Sequence, residues 1–253
     1  MKIIDMPEKE YFRAKGVSKS LLAKMDCPAK AFVPMKETPA MLLGSITHMA
    51  ILQPEIFDDH FIFAPDINKR TKAGKEEWAE FEAANADKRV ITSDQYDYAF
   101  AMQKAVAAHP MASELLKEGK AEQSCFWNDE RTGKECKARI DWLTGGNVIA
   151  DLKTAASAHP FAFSRSCHDF KYHWQDAWYT RGAQADDFYF IVVEKDAPHV
   201  VEVYRLTDEA KELGRIQIDA ALDKYMMCWG FDEWPGYNDS DRVNLIDLPH
   251  YAY

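Results

Sequence analysis

Two short stretches carry the residues best suited to chemistry: Glu135-Cys-Lys-Ala-Arg-Ile-Asp141 and Ile149-Ala-Asp-Leu-Lys153, joined through Thr144-Gly-Gly-Asn147. They read as two strands and a Gly-Gly turn, a hairpin signal. Strand side chains repeat with period two. Alternation therefore points Lys137, Arg139 and Asp141 to one face of the first strand, and Ile149, Asp151 and Lys153 to one face of the second. Pairing the strands brings two carboxylates and an ammonium together near the strand ends. Two acidic oxygen donors side by side suit a hard divalent cation such as Mg²⁺. A lysine two residues on could polarise a phosphate or orient a water. This is the outline of a metal-dependent phosphodiester-cleaving site. Asp and Lys two apart also occur as a solvated strand face of little energetic value, so the surroundings decide between the two.

The chain of 253 residues can bury a substantial core. Its 47% hydrophobic and 28% charged residues are ordinary for a globular protein. No apolar run is long enough for a membrane span, and the first ten residues become charged too early for a secretory signal. A cytoplasmic protein with no membrane partner is expected. Cys27, Cys125, Cys136, Cys167 and Cys228 are scattered, odd in number and without a C-x-x-C pair, against a disulfide framework or a structural zinc site. The net charge of −10 argues against a protein that simply coats DNA, since such affinity comes from Lys and Arg neutralising phosphates. Basic residues do cluster at Lys69, Arg70, Lys72 and Lys75, and at Lys134, Lys137 and Arg139. Acidic ones gather late, around Asp232, Glu233, Asp239, Asp241 and Asp247. An asymmetric field of this kind can focus an anion into a cleft.

The elements that must position the site begin with helices. They are expected over Ser18–Met25 (capped by Ser18), Met41–Gln53 (stopped by Pro54), Gly74–Asn85, Ser93–Ala108 (capped by Ser93, stopped by Pro110) and Met111–Gly119, with a loop from Phe61 to Lys75. Strands follow at Glu122–Trp127, Glu135–Leu143 and Val148–Lys153. Helices are then expected at Pro160–Cys167 and Lys171–Asp186, strands at Phe188–Glu194 and His199–Leu206, and a helix from Asp208 to Trp229 before a Pro/Gly-rich tail. Helices first and a mixed sheet flanked by helices afterwards make an α/β fold. We expect one domain over 1–253, with a helical part to about 120, the catalytic sheet and helices over about 121–230, and a tail over 231–253.

His48 sits in Gly44-Ser-Ile-Thr-His48 on an otherwise apolar helix. Gln175 and Tyr179 lie four apart in Lys171-Tyr-His-Trp-Gln-Asp-Ala-Trp-Tyr179 and share a helix face. Alone, the first reads as a satisfied core histidine and the second as an aromatic packing face. Their order is the added signal: G-x-x-x-H, R-x-D, D-x-K, then Q-x-x-x-Y. That ordered set resembles the PD-(D/E)xK nuclease superfamily in its RecB-like branch. Val17-Ser-Lys-Ser-Leu-Leu-Ala-Lys-Met-Asp-Cys27-Pro28-Ala-Lys-Ala-Phe32 looks like the N-terminal helix of that branch. The segments around His48, Ala150-Asp-Leu-Lys-Thr-Ala155, the Gln175 helix and Trp234-Pro-Gly-Tyr237 look most like the RecE-type nuclease domain.

The resemblance covers roughly residues 17 to 250 and implies a restriction-endonuclease-like core and a Mg²⁺-dependent exonuclease, with Mn²⁺ able to substitute. Its substrate would be linear double-stranded DNA, resected 5′ to 3′ to leave a 3′ strand for a partner annealing protein. A ring-shaped tetramer and a setting in phage-type recombination are implied with it. Carried over by position, His48, Asp141, Asp151 and the Leu152 carbonyl would hold the metal. Lys153 would orient the attacking water and stabilise charge on the phosphate. Gln175 and Tyr179 would support the site or contact DNA. Lys137 and Arg139, of the basic cluster beside the site, are expected to contact phosphate. Glu122 could be a further carboxylate of the site. Some relatives hold an iron–sulfur cluster on four cysteines. Here Cys27 matches the first, but only Cys228 lies beyond the Q-x-x-x-Y helix, so no cluster is expected. No G-x-x-x-x-G-K-[ST] motif for ATP-driven unwinding is present. The alternatives are an inactive DNA-binding or assembly protein on the same fold, or a nuclease of different polarity or substrate.

Overall fold

The structure, a computed structural model, describes residues 1–34, 36, 38–238 and 243–248. Asp239 and Asp241 of the acidic tail lie outside them.

The chain opens with strand β1 (Lys2–Asp5) and helix α1 (Glu8–Arg13), which the charged N-terminus did not betray. Helix α2 (Lys19–Leu22) is capped as expected, Ser18 Oγ accepting from the Leu21 amide at 3.3 Å. Helix α3 (Pro39–Leu52) starts under a Thr38 cap and stops where Pro54 removes the next donor. Helix α4 (Phe57–His60) runs straight into the segment read as a loop, which holds β2 (Phe61–Phe63) and the start of α5 (Lys72–Ala84). Strand β3 (Arg89–Ile91) pairs in parallel with β2. Helix α6 (Ser93–Ala108) is capped by Thr92 rather than Ser93, because Gln95 completes a reciprocal capping box with it. Pro110 opens the next helix, α7 (Pro110–Leu115), at the position where its missing donor costs nothing.

The second half follows the sequence closely. Strands β4 (Gly119–Asn128), β5 (Glu135–Thr144) and β6 (Val148–Ala155) lead to α8 (Pro160–Asp169) and α9 (Tyr172–Ala183). Strands β7 (Asp187–Glu194) and β8 (Val201–Tyr204) precede the long helix α10 (Asp208–Phe231). The six-stranded sheet runs β1-β4-β5-β6-β7-β8, antiparallel except for β6 with β7. That pair is parallel because α8 and α9 cross over between them. Helices cover both faces of the sheet there, and β7 accordingly reads Phe-Tyr-Phe-Ile-Val-Val, largely buried on both faces.

One face of the sheet packs on α2, α8, α9 and α10, around Trp178, Phe188, Phe190 and Ile218. The other packs on α3, α6 and α7 through Leu52, Met102 and Val106 against Leu152 and Ile191. The seat of α9 is fixed by Gly182, since a Cβ there would collide with the Trp127 ring. Helix α3 is apolar all round because it is covered twice, by this cluster and by Phe57, Phe61 and Ile91 beyond it. Among the described residues no helix is long and apolar enough to cross a membrane.

Candidate active site

The site forms where the sheet's regularity fails. Strands β4 and β5 keep one register throughout, but the pair Glu122–Asp141 is missing from the ladder between Ala121↔Trp142 and Gln123↔Ile140. Glu122 takes a left-handed conformation there, φ 53°. Strict alternation also breaks: Ile140 joins the core under α9, while Trp142, two residues on, packs on the α6 side. On its other edge β5 pairs with β6 only at Trp142 and Leu143. Beyond that, Asp141 replaces the backbone ladder, its Oδ2 accepting from the Leu152 amide at 3.0 Å.

His48 descends from α3 onto this break, its Nδ1 3.4 Å from Asp141 Oδ2. Ligand atoms of His48, Glu122 and Asp141 all lie within 4.8 Å of one another. Two carboxylates directly opposite across strands repel. Burial and the neighbouring Asp141 raise the Glu122 pKa, though Arg139 and His48 oppose the shift. Arg139 donates Nε to Glu122 Oε2 at 2.6 Å, and its Nη1 donates to both Ser124 Oγ and the Met6 carbonyl. It thereby fixes the Glu122 side chain.

Asp151 and Lys153 stand beside this cluster in a different state. Asp151 is 1% exposed and forms a close ion pair with Lys153. Gln175 spans the two, donating Nε2 to Asp151 Oδ1 and accepting from Lys153 Nζ at 3.1 Å. Burial pushes the Asp151 pKa up to about 6 against the pull of Lys153. Burial opposes the Lys153 charge too, but Asp151 and Asp141 outweigh it and hold the ammonium above the ordinary lysine range. The Tyr172 ring lies 4.6 Å from that ammonium. Tyr179, one turn beyond Gln175, has its hydroxyl pKa raised by burial and then by Tyr11 and the three carboxylates.

The expected residues His48, Asp141, Asp151, Lys153 and Gln175 thus meet, and Tyr179 borders them. Glu122, expected only as a further carboxylate, takes a full place in the cluster. The structure makes three corrections. Asp151 and Lys153 do not lie on an exposed strand face, because α9 covers them. Lys137 is only 8% exposed and donates to the Tyr11 and Ala14 carbonyls at 2.9 and 2.7 Å. A cation suits the carbonyls that close α1, so Lys137 is not free to meet phosphate, and Arg139 is likewise engaged by Glu122. Of the basic loop, Lys72 and Lys75 belong to α5, and Lys69 sits on the Trp78 ring. Tyr172 was missed, although it lies three residues before Gln175 and so on the same helix face.

A mixed sheet presenting a D-x-K strand opposite an acidic strand end, with a histidine helix above it, defines a PD-(D/E)xK-type centre. The chain belongs to the family described as PDDEXK-like domain of unknown function (DUF3799), whose model matches residues 13–249. Its fold is similar to that of a protein named as a putative exonuclease from Eubacterium rectale, with a TM-score of 0.65 and 11% identity over 97% of both chains. Further structures include an alkaline exonuclease from Laribacter hongkongensis (TM-score 0.36, 10% identity, 88% of this chain and 96% of that one). A phage-related exonuclease from Haemophilus somnus is similar at TM-score 0.39 and 13% identity, over 88% of this chain and 99% of that one. No curated protein matches this sequence significantly.

Proposed function

We propose that this chain, as one nuclease domain over 1–253, is a Mg²⁺-dependent exodeoxyribonuclease acting on linear duplex DNA. Degradation runs 5′ to 3′ and leaves a 3′ strand, as a recombination partner that anneals single strands would need. The observation that carries the reading is the His48, Glu122 and Asp141 cluster beside the Asp151–Lys153 pair. Its donor set is rich in hard oxygen and leaves two facing carboxylates in need of a cation, which fits a divalent ion. His48, Glu122 and Asp141 would hold it, with Asp151 and the Leu152 carbonyl adjoining; Mn²⁺ suits the same donors. A bound ion of this kind lowers the pKa of water and offsets charge on the attacking and leaving oxygens.

The remaining chemistry belongs to the chain itself. Lys153 keeps its proton, so it acts by holding the attacking water and by countering negative charge that builds on the phosphate. Gln175 fixes Lys153 and Asp151 at once, so neither needs to reorganise during the reaction. Arg139 holds Glu122 in the strained strand position that aims its carboxylate at Asp141. The α9 helix covers Asp151 and keeps water from one side of the pair.

The test is linear duplex DNA labelled separately at its 5′ and 3′ ends, incubated with Mg²⁺ or with EDTA. Mg²⁺-dependent loss of the 5′ label with survival of the 3′ strand is expected. Retained binding with no degradation would instead make this a DNA-binding or assembly protein.

A further inference from the structure

Beside the Asp151–Lys153 pair, three lysine side chains converge. Lys153 is paired with Asp151, and Lys171 with Asp26 at 2.7 Å. Lys19, at the start of α2, donates to the Phe170 carbonyl at 2.8 Å. Among the described residues no carboxylate lies within ion-pair distance of it. Burial and then the Lys153 ammonium push its pKa down to about 8, with Asp151 pulling the other way and Lys171 adding a smaller push. Of the three ammonium groups, Lys19 alone is without a carboxylate partner among the described residues, so it is the one suited to an added anion.

An aromatic path leads outward from the same point. The Tyr172 ring borders Lys153 at 4.6 Å and stands 5.9 Å from Lys19 Nζ. The Phe170 ring follows, 5.7 Å from Tyr172. Between them Lys171 adopts φ 56°, which turns the chain from α8 into α9. Phe170 is 61% exposed, a large apolar ring open to solvent beside a charged site. Single exposed rings are common. This one differs in its continuity with the D-x-K lysine and with an unpaired cation.

We infer that Phe170 and Lys19 form a nucleotide-binding step at the mouth of the site, the ring stacking on an unpaired base and the ammonium holding that nucleotide's phosphate. The inference rests on the nuclease reading above and adds a substrate preference to it. The enzyme favours an end whose terminal bases are already separated, because the step holds one strand open beside the bond to be cut. Stacking of this kind tolerates any base, as a non-specific exonuclease requires.

The experiment is fluorescence anisotropy with labelled duplexes that end either blunt or in a short non-complementary fork, in EDTA and again in Ca²⁺. Wild type should bind the forked end roughly tenfold more tightly, the size expected of one stacked base. Phe170→Ala should abolish that preference and Phe170→Trp restore it. Lys19→Gln should lower the slope of log affinity against log salt by about one, and Lys19→Arg should recover it. Circular dichroism would establish that each variant is folded. No binding or equal binding of both ends by wild type in both buffers, or a preference that survives Phe170→Ala, would overturn the inference. Because binding is read without cleavage, an inactive protein in the labelled-strand assay would fail the nuclease reading separately.

Discussion

The two halves of the centre are built on adjacent strands yet solve opposite electrostatic problems. Asp151 and Lys153 neutralise one another and share Gln175, so this half is complete as folded. Glu122 and Asp141 face each other with His48 beside them, and Arg139 pairs with Glu122 alone. The first half is a structural unit as well as a chemical one. The second is held in place by the rest of the fold and is suited to receive a cation. Substitutions in the two halves should therefore part company, those in the paired half costing stability and those in the acidic half costing cation affinity.

The largest effect falls in the paired half. Lys153→Ala should lower the cleavage rate at least a hundredfold, a typical loss for a positioned charged group. It should also destabilise the fold by about 3 kcal/mol, since it leaves Asp151 buried without its partner. Parallel rate and thermal-melting measurements check both; a variant as stable as wild type would break the contrast. Asp151→Asn is the gentler probe, because the amide keeps a group for Gln175 while removing the buried charge.

A smaller effect is expected at Lys137, which serves neither half. Lys137→Met should cost about 2 kcal/mol through the lost bonds to the Tyr11 and Ala14 carbonyls. The salt dependence of DNA binding should not change. A slope reduced by about one would return Lys137 to the DNA.

The smallest effect sharpens the comparison with a buried carboxylate outside the centre. Asp176, next to Gln175, has its pKa pushed up to about 6 by burial, partly offset by Lys211. Its folded pKa lies above the unfolded value, so its ionisation destabilises the fold as pH rises from about 4 to about 6. Asp176→Asn should therefore match wild type below pH 4 and gain about 1 kcal/mol above pH 6, without loss of cleavage. Melting curves across that range test the sign; a gain confined to low pH would contradict it.

The sheet and its helices were legible because β5, β6 and β7 carry clear strand patterns and α3 and α10 clear stops. Strand β1 was hidden in a charged terminus, since it is an edge strand paired only with β4. The D-x-K strand and the histidine helix could be read from spacing, as local periodicity fixes both. Glu122 was undervalued because its role depends on a left-handed residue and a missing ladder pair, which no alternation pattern announces. Lys137 was misread for a related reason. Alternation gave its face correctly but could not show that α1 lies on that face. Lys19 sits inside a recognised motif, yet only the α8–α9 turn brings it to the site.

On the proposed reading the acidic half, and not the paired half, binds the cation. Calorimetric titration of the DNA-free protein with Mn²⁺ and Mg²⁺ tests it most directly, with Glu122→Gln, Asp141→Asn and Gln175→Ala run beside wild type. Either acidic substitution removes a charged oxygen donor and should weaken cation binding at least tenfold, while Gln175→Ala, in the paired half, leaves it nearly unchanged. Undiminished binding in Glu122→Gln and Asp141→Asn would contradict the account.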